Sequence, residues 1–113
     1  MNELQRLQDW YQAQCNGDWE HSFGIKIDTL DNPGWMVKID LSETELEGRS
    51  FESLERGDSD SEADWIMCKT EGAQFVGYGG VYNLSEILRT FLLWAAVAPP
   101  NSSSKPTPLR GAA

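Results

Sequence analysis

Bases are scarce in this chain. Nine Lys and Arg stand against 18 Asp and Glu, with a single His, for a net charge of −9. That balance disfavours direct nucleic-acid binding, since attraction to phosphate needs clustered Lys and Arg. Cysteine is nearly as rare. Cys15 and Cys68 make no C-x-x-C pair, so neither a disulfide framework nor a zinc site is indicated, and two reduced, partly buried thiols are expected. No apolar run reaches the roughly 20 residues that span a membrane. The segment Met1 to Trp10 lacks the basic start and apolar stretch of a secretory signal, so a cytosolic location is expected. Neither a G-x-S-x-G nucleophile turn nor a phosphate-loop pattern occurs. These absences argue against an enzyme, and no cofactor is expected.

What is present is apolar content of 40% with five Trp in 113 residues. That suffices for one folded domain. Leu4, Leu7, Tyr11 and Cys15 recur at helical spacing, with Trp10 widening the stripe. They predict a helix over 2–15, stopped at Asn16-Gly17. Phe23, Ile25, Ile27 and Thr29 then alternate with polar residues, as do Trp35, Val37, Ile39 and Leu41. Period-two alternation on both sides of Asp31-Asn32-Pro33-Gly34 predicts a hairpin. Setting Asp31 opposite Trp35 places Asp28 opposite Lys38, Lys26 opposite Asp40 and Ile27 opposite Ile39, a register that matches charge with charge.

A second hairpin is expected around Gly72-Ala73 in a type II′ turn, with Thr70 opposite Phe75, Cys68 opposite Gly77 and Met67 opposite Tyr78. Apolar residues on both faces of 65–68 suggest a strand covered on both sides. Between the hairpins the pattern is irregular, with a weak strand indicated around Phe51. Asn83, with Glu86 three residues on, is the expected N-cap of a second helix. Its stripe runs through Leu84, Ile87, Leu88, Phe91, Leu92, Trp94 and Ala95. The fold class is therefore α+β: a single domain over 1–97, an antiparallel sheet built from hairpins, and an amphipathic helix at each end. Residues 98–113, rich in Pro and Ser, read as a flexible tail.

Few residues invite a chemical reading. Asp18, Glu20 and His21 could form a metal or acid–base cluster. With one His in the chain, fixing the helix-to-strand turn is the stronger reading. Cys68 sits mid-strand in apolar surroundings, which suits a core residue better than a nucleophile. Gly77 to Gly80 reads as a bend or bulge rather than a phosphate cradle. Among the tryptophans, Trp65 and Trp94 are assigned to the core. Trp19 and Trp35, next to turns, are expected to be partly exposed.

The acids are concentrated. Asp40, Glu43, Glu45, Glu47, Glu52, Glu55, Asp58, Asp60, Glu62 and Asp64 are opposed in their segment only by Arg49 and Arg56. Such a surface steers basic partners into encounter.

Several pieces resemble the immunity protein 53 family. They are Leu7-Gln8-Asp9-Trp10-Tyr11, Cys15-Asn16-Gly17-Asp18-Trp19-Glu20-His21, Gly24-Ile25-Lys26-Ile27 and Leu30-Asp31-Asn32-Pro33-Gly34-Trp35. They continue through Lys38-Ile39-Asp40-Leu41, Asp64-Trp65, Cys68-Lys69, Gly79-Gly80 and Asn83-Leu84 to Ile87-Leu88 and Phe91. Their order and spacing run from about Leu4 to Val97. The resemblance implies an α+β fold and a non-enzymatic protein that binds a cognate bacterial polymorphic toxin in the producing cell. Many such toxins are nucleases, and these are often basic, which suits the acidic segment. The expected partner-binding residues are Asp31, Trp35, Glu43, Glu45, Glu47, Asp58, Asp60, Glu62 and Asp64. An apolar patch at Leu93 and Val97 is the competing surface. Two other readings stand beside this one: an acidic interaction module unrelated to toxins, and a small enzyme built on Asp18, Glu20 and His21.

Overall fold

Asn2 starts the first helix. Its side chain accepts the N–H of Gln5, and the Gln5 side chain accepts the N–H of Asn2, a reciprocal cap. In the computed structural model, which describes residues 2–96, helix α1 (Glu3–Gln14) is followed by the short α2 (Trp19–Ser22). Strands β1 (Ile25–Leu30) and β2 (Gly34–Asp40) come next, then β3 (Leu54–Arg56), β4 (Ile66–Glu71), β5 (Gln74–Gly79) and helix α3 (Leu84–Ala96). All strands are antiparallel in one sheet of order β1-β2-β5-β4-β3. This is the predicted α+β domain. The expected tail at 98–113 and Val97 lie outside the described residues.

Both long helices pack on one face of the sheet. Val37, Ile39, Ile66, Cys68 and Phe75 project from that face and meet Ile87, Leu88, Phe91 and Leu92 of α3 and Leu7 of α1. The glycines of β5 permit this approach. A Cβ on Gly77 would lie 2.5 Å from Ile87 Cγ2, so the helix rests directly on the strand backbone. The opposite face carries no helix. Met67 on that face is only partly buried, whereas Trp65, Ile66 and Cys68 are buried, so the expectation that 65–68 is covered on both sides is corrected at Met67. This apolar outward residue packs beside cross-strand Tyr78 instead.

The second hairpin pairs as predicted, with Cys68 opposite Gly77 and Thr70 opposite Phe75. Gly72 takes the positive φ (60°) at the first turn position. The first hairpin forms between the expected segments but in a different register. Lys26 faces Lys38, Asp28 faces Met36, Ile27 faces Val37 and Thr29 faces Trp35. The displacement is two residues, so every side chain keeps its face. Apolar alternation is therefore satisfied equally in both registers, and surface charge pairs of roughly 0.2–1 kcal/mol do not decide between them. Gly34 decides. A Cβ there would collide with the carbonyl oxygen of Gly79, so Gly34 belongs in the sheet, opposite Leu30, and the turn is left with Asp31 to Pro33.

The irregular segment after β2 straps α3 at both ends. The Arg49 guanidinium donates to Trp94 O (3.0 Å) and lies over the Trp94 ring, while Trp94 Nε1 donates to Ser50 O. Arg56 forms a bidentate pair with Glu86 in the first turn of α3. Phe51 is not in a strand. It stacks edge-on against Phe75 and Trp94, and the short strand begins at Leu54. Trp19 also corrects the sequence reading. It is 2% exposed, held among Trp10, Tyr11 and Phe23, and its Nε1 donates to Ser42 O. Proximity to a turn did not expose it, because the strap folds over it.

Candidate functional site

Three loops meet at one end of the sheet. The first is the β1–β2 turn with Asp31, Asn32 and Pro33. The second is the acidic loop 57–64, and the third is the β5–α3 connection with Val81 and Tyr82. Asn32, Pro33, Ser59, Glu62, Ala63, Trp65 and Val81 enclose a cleft of ≈ 100 Å³ between them. Trp35 is half-buried, and its Nε1 donates to Val81 O (2.9 Å), pinning the third loop to the first. A Cβ on Gly80 would strike the carbonyl oxygen of Ala63, so the third loop also lies directly on the second.

The acidic loop has internal order. Gly57 (φ 82°) closes its base against the Asp64 carbonyl. Asp58 N–H donates to Glu62 Oε1 (2.6 Å) and Asp60 N–H to Asp58 Oδ1 (2.9 Å), while Ser61 and Glu62 N–H both reach Asp58 O. These bonds hold a helix-like turn whose carboxylates face water, and Asp58, Asp60 and Glu62 are all exposed. Asp64 differs from them. Its carboxylate accepts from Asn83 Nδ2 and Arg56. Those bonds, Asn83's first and then Arg56's, hold its carboxyl below the usual value of 3.8. Glu86 is lowered likewise, first by Arg56. Asn83 stands at the expected N-cap position, directly before Leu84, and its carbonyl oxygen accepts the first helical N–H, from Ile87; only its side chain departs from the expectation. Its amide N–H₂ donates to Asp64 and Glu86 rather than its oxygen accepting a helix N–H, because two carboxylates converge on it.

The nine expected partner-binding residues fall into two groups. Asp31, Trp35, Asp58, Asp60, Glu62 and Asp64 lie at the three-loop end. Glu43, Glu45 and Glu47 lie past the other end of β2, near the β4–β5 turn, where Leu41 N–H donates to Ala73 O. At about 3.3 Å per residue the length of β2 separates the groups by roughly 20 Å. The second group surrounds Leu46, fully buried as a plug of the core, and Glu47 Oε1 accepts the Glu43 N–H. Sequence reasoning missed Tyr82, which is 92% exposed beside Val81 at 46%. Its place between a strand of glycines and an N-cap was the available signal, since it belongs to neither apolar stripe.

The alternative chemistry has a structural explanation. Glu20 accepts the N–H groups of Asn16 (3.0 Å) and Gly17 (2.9 Å). Its own backbone amide, followed by these two, lowers its pKa. It thus fixes the turn from α1 into α2, which bears out the plainer reading for Glu20 and places a short helix where the turn was expected to lead into a strand. Among the described residues no group of three or more His, Cys, Asp or Glu side chains is placed to hold a metal. Cys68 is fully buried and free, and burial pushes its thiol up to about 12, away from the reactive thiolate.

The family model for immunity protein 53 matches residues 4–96. The chain belongs to the immunity protein 53 family. The match takes in α1 from its second residue, α2, α3, the whole sheet and all three loops of the site. No curated protein and no solved structure matches the chain. Membership of an immunity family points to a binding protein whose partner is a toxin. No helix among the described residues is long and apolar enough to cross a membrane.

Proposed function

We propose that this immunity protein neutralises a basic toxin domain, such as a nuclease, by binding it at the three-loop end of the sheet. The observation that carries this reading is the pairing of an exposed aromatic with uncompensated acids. Tyr82 projects 92% exposed, beside a loop holding Asp58, Asp60 and Glu62, none of which makes an ion pair among the described residues. Interfaces concentrate their energy in a few aromatic or Arg anchors, surrounded by a polar rim. Acidic rims steer basic partners and suppress acidic ones. Asp31 and Trp35 complete the rim on the hairpin side. Glu43, Glu45 and Glu47, roughly 20 Å off along β2, lie outside the rim set by the three loops and serve as solvated acids around the Leu46 plug. Binding without chemistry accounts for the buried Cys68 and the backbone-bound Glu20.

Replacing Tyr82 by Ala tests the anchor. A hot-spot aromatic costs at least about 2 kcal/mol on truncation, so the variant should release the cognate toxin at least about 30-fold faster while unfolding at an unchanged urea midpoint. Unchanged dissociation would remove Tyr82, and with it the three-loop end, from the contact.

A further inference from the structure

The sheet ends on one side in a long open strand. β3 at the far edge has three residues, but β1 at the near edge has six, and four of them in a row are exposed. Which backbone groups of β1 point outward follows from its neighbour. Asp40 N–H donates to Gly24 O, and Leu41 N–H to Ala73 O. In an antiparallel pair the hydrogen-bonded positions alternate, so Gly24, Lys26, Asp28 and Leu30 bond inward to β2. Ile25, Ile27 and Thr29 therefore present their N–H and C=O groups outward. The Thr29 N–H agrees with this, because it is turned to the side chain of its neighbour, Asp28 Oδ1, at 2.8 Å.

The order Ile25-Lys26-Ile27-Asp28-Thr29 is self-complementary about Ile27. We propose that a second copy of this chain pairs antiparallel along β1, with Ile27 on the two-fold axis, to give a continuous ten-stranded sheet. In that register Ile27 faces Ile27, Ile25 faces Thr29 and Lys26 faces Asp28 of the second copy. The three outward residues fall at hydrogen-bonded positions. Each Lys26–Asp28 pair falls at a non-hydrogen-bonded position, where side chains are closest. Registers centred on Lys26 or on Asp28 set like charges opposite each other, so one centre is favoured. Within a single copy Lys26 faces Lys38, and among the described residues neither makes an ion pair. Asp28 of the second copy supplies the missing opposite charge. On the helix side Ile27 is 39% exposed, as is Tyr11. A groove of ≈ 310 Å³ lined by Leu7, Gln8, Tyr11, Gly24 and Ile25 runs beside the edge. The Asp28–Thr29 bond quenches one edge amide in the single copy, and one strand pair buries less than the ~1,000 Å² of a stable interface. The dimer is accordingly weak and concentration-dependent.

Charge reversal tests the pairing in the full chain. Sedimentation velocity from about 10 μM to about 1 mM, a range suited to weak association, should show a monomer–dimer equilibrium. Lys26→Asp alone and Asp28→Lys alone each put like charges at both symmetric positions and should weaken it at least about tenfold. Mixed one to one, the two variants become complementary and should form a heterodimer at least as readily as the wild-type chain forms its dimer. Circular dichroism verifies folding, and Lys26→Asp, which also removes the Lys26–Lys38 opposition, should not lower stability. Amide exchange at Ile25 and Ile27 should slow as concentration rises. A wild-type chain that stays monomeric throughout overturns the proposal, as does a mixture that fails to recover association. Protection of the β1 amides by toxin alone, without self-association, assigns the edge to the toxin and overturns it equally.

Discussion

The charge argument can be tested without disturbing the loop that carries it. Asp58→Asn, Asp60→Asn and Glu62→Gln together remove three negative charges. Each amide keeps an oxygen, so the Asp60 N–H still has Asp58 Oδ1 and the Asp58 N–H still has the side chain at 62. Asp64 is left intact because it is tied to Arg56 and Asn83. Two unit charges about 8 Å apart in water attract by roughly 0.5 kcal/mol, a factor of about two in rate. Three such charges facing a basic partner therefore accelerate association about tenfold at low salt. With a Debye length of ~8 Å at physiological ionic strength, the same charges are worth only about two- to threefold. Stopped-flow association with the cognate toxin, measured across salt, should show both the slower rate and the shallower salt slope. Dissociation should change little, since rim charges act mainly on encounter. If rate and slope match the wild-type chain, the acidic loop is a solubility feature and the interface lies elsewhere.

Two further predictions concern the frame that holds the site. Asp64 and Glu86 have carboxyls lowered from 3.8 and 4.5, by Asn83 and Arg56 in one case and by Arg56 first in the other. A depressed folded-state pKa adds stability that is present above the unfolded value and disappears as pH falls through the folded one. Stability should therefore drop as pH goes below 4.5, and Arg56→Met should flatten that dependence in urea midpoints taken from neutral to acid. An unchanged pH slope in Arg56→Met would show that the bidentate pair does not set these carboxyls. Trp19→Ala should destabilise by about 3–5 kcal/mol, the range for emptying a buried aromatic site, because Trp19 is 2% exposed and bonds Ser42 O. A loss within about 0.5 kcal/mol in denaturant unfolding, typical of a surface substitution, would contradict its placement as a core residue.

How much was readable in the sequence depended on whether the signal was periodic or pairwise. Both long helices and both hairpins followed from spacing, because period 3.6 and period two survive without knowledge of neighbours; the four-residue α2 is too short to show a period. The second hairpin's register was readable because Gly72 marks a two-residue turn. The first was not, because a two-residue slip preserves every face and the deciding contact, Gly34 against Gly79, joins strands far apart in sequence. Burial near turns was misread for the same reason. Trp19 is covered by the segment after β2, and Phe51 packs on rings from β5 and α3 rather than joining a strand. Of the candidate site, the hairpin tip was legible from its turn residues and the acidic loop from its composition. Tyr82 was missed, although its place between a Gly-rich strand end and an N-cap, outside both apolar stripes, was a signal the sequence carried.

The placement of the two arginines changes what the acidic segment means. Counted along the chain, Arg49 and Arg56 offset part of a run of ten acids. In the fold both turn inward to α3, Arg49 to the Trp94 carbonyl at its end and Arg56 to Glu86 at its start. Of the acids in the run, Asp64 shares Arg56, while Asp58, Asp60 and Glu62 stand in one turn without a base. Glu43, Glu45 and Glu47 lie roughly 20 Å away along β2, more than two Debye lengths at physiological salt. A basic partner at the three-loop end therefore meets chiefly Asp58, Asp60 and Glu62, with Asp31 on the hairpin side, rather than the whole run. The strong charge asymmetry in the sequence thus reduces to a small, local field beside one exposed tyrosine. On the proposed reading, affinity then comes chiefly from the anchor at Tyr82, with the acids setting how fast a basic partner arrives.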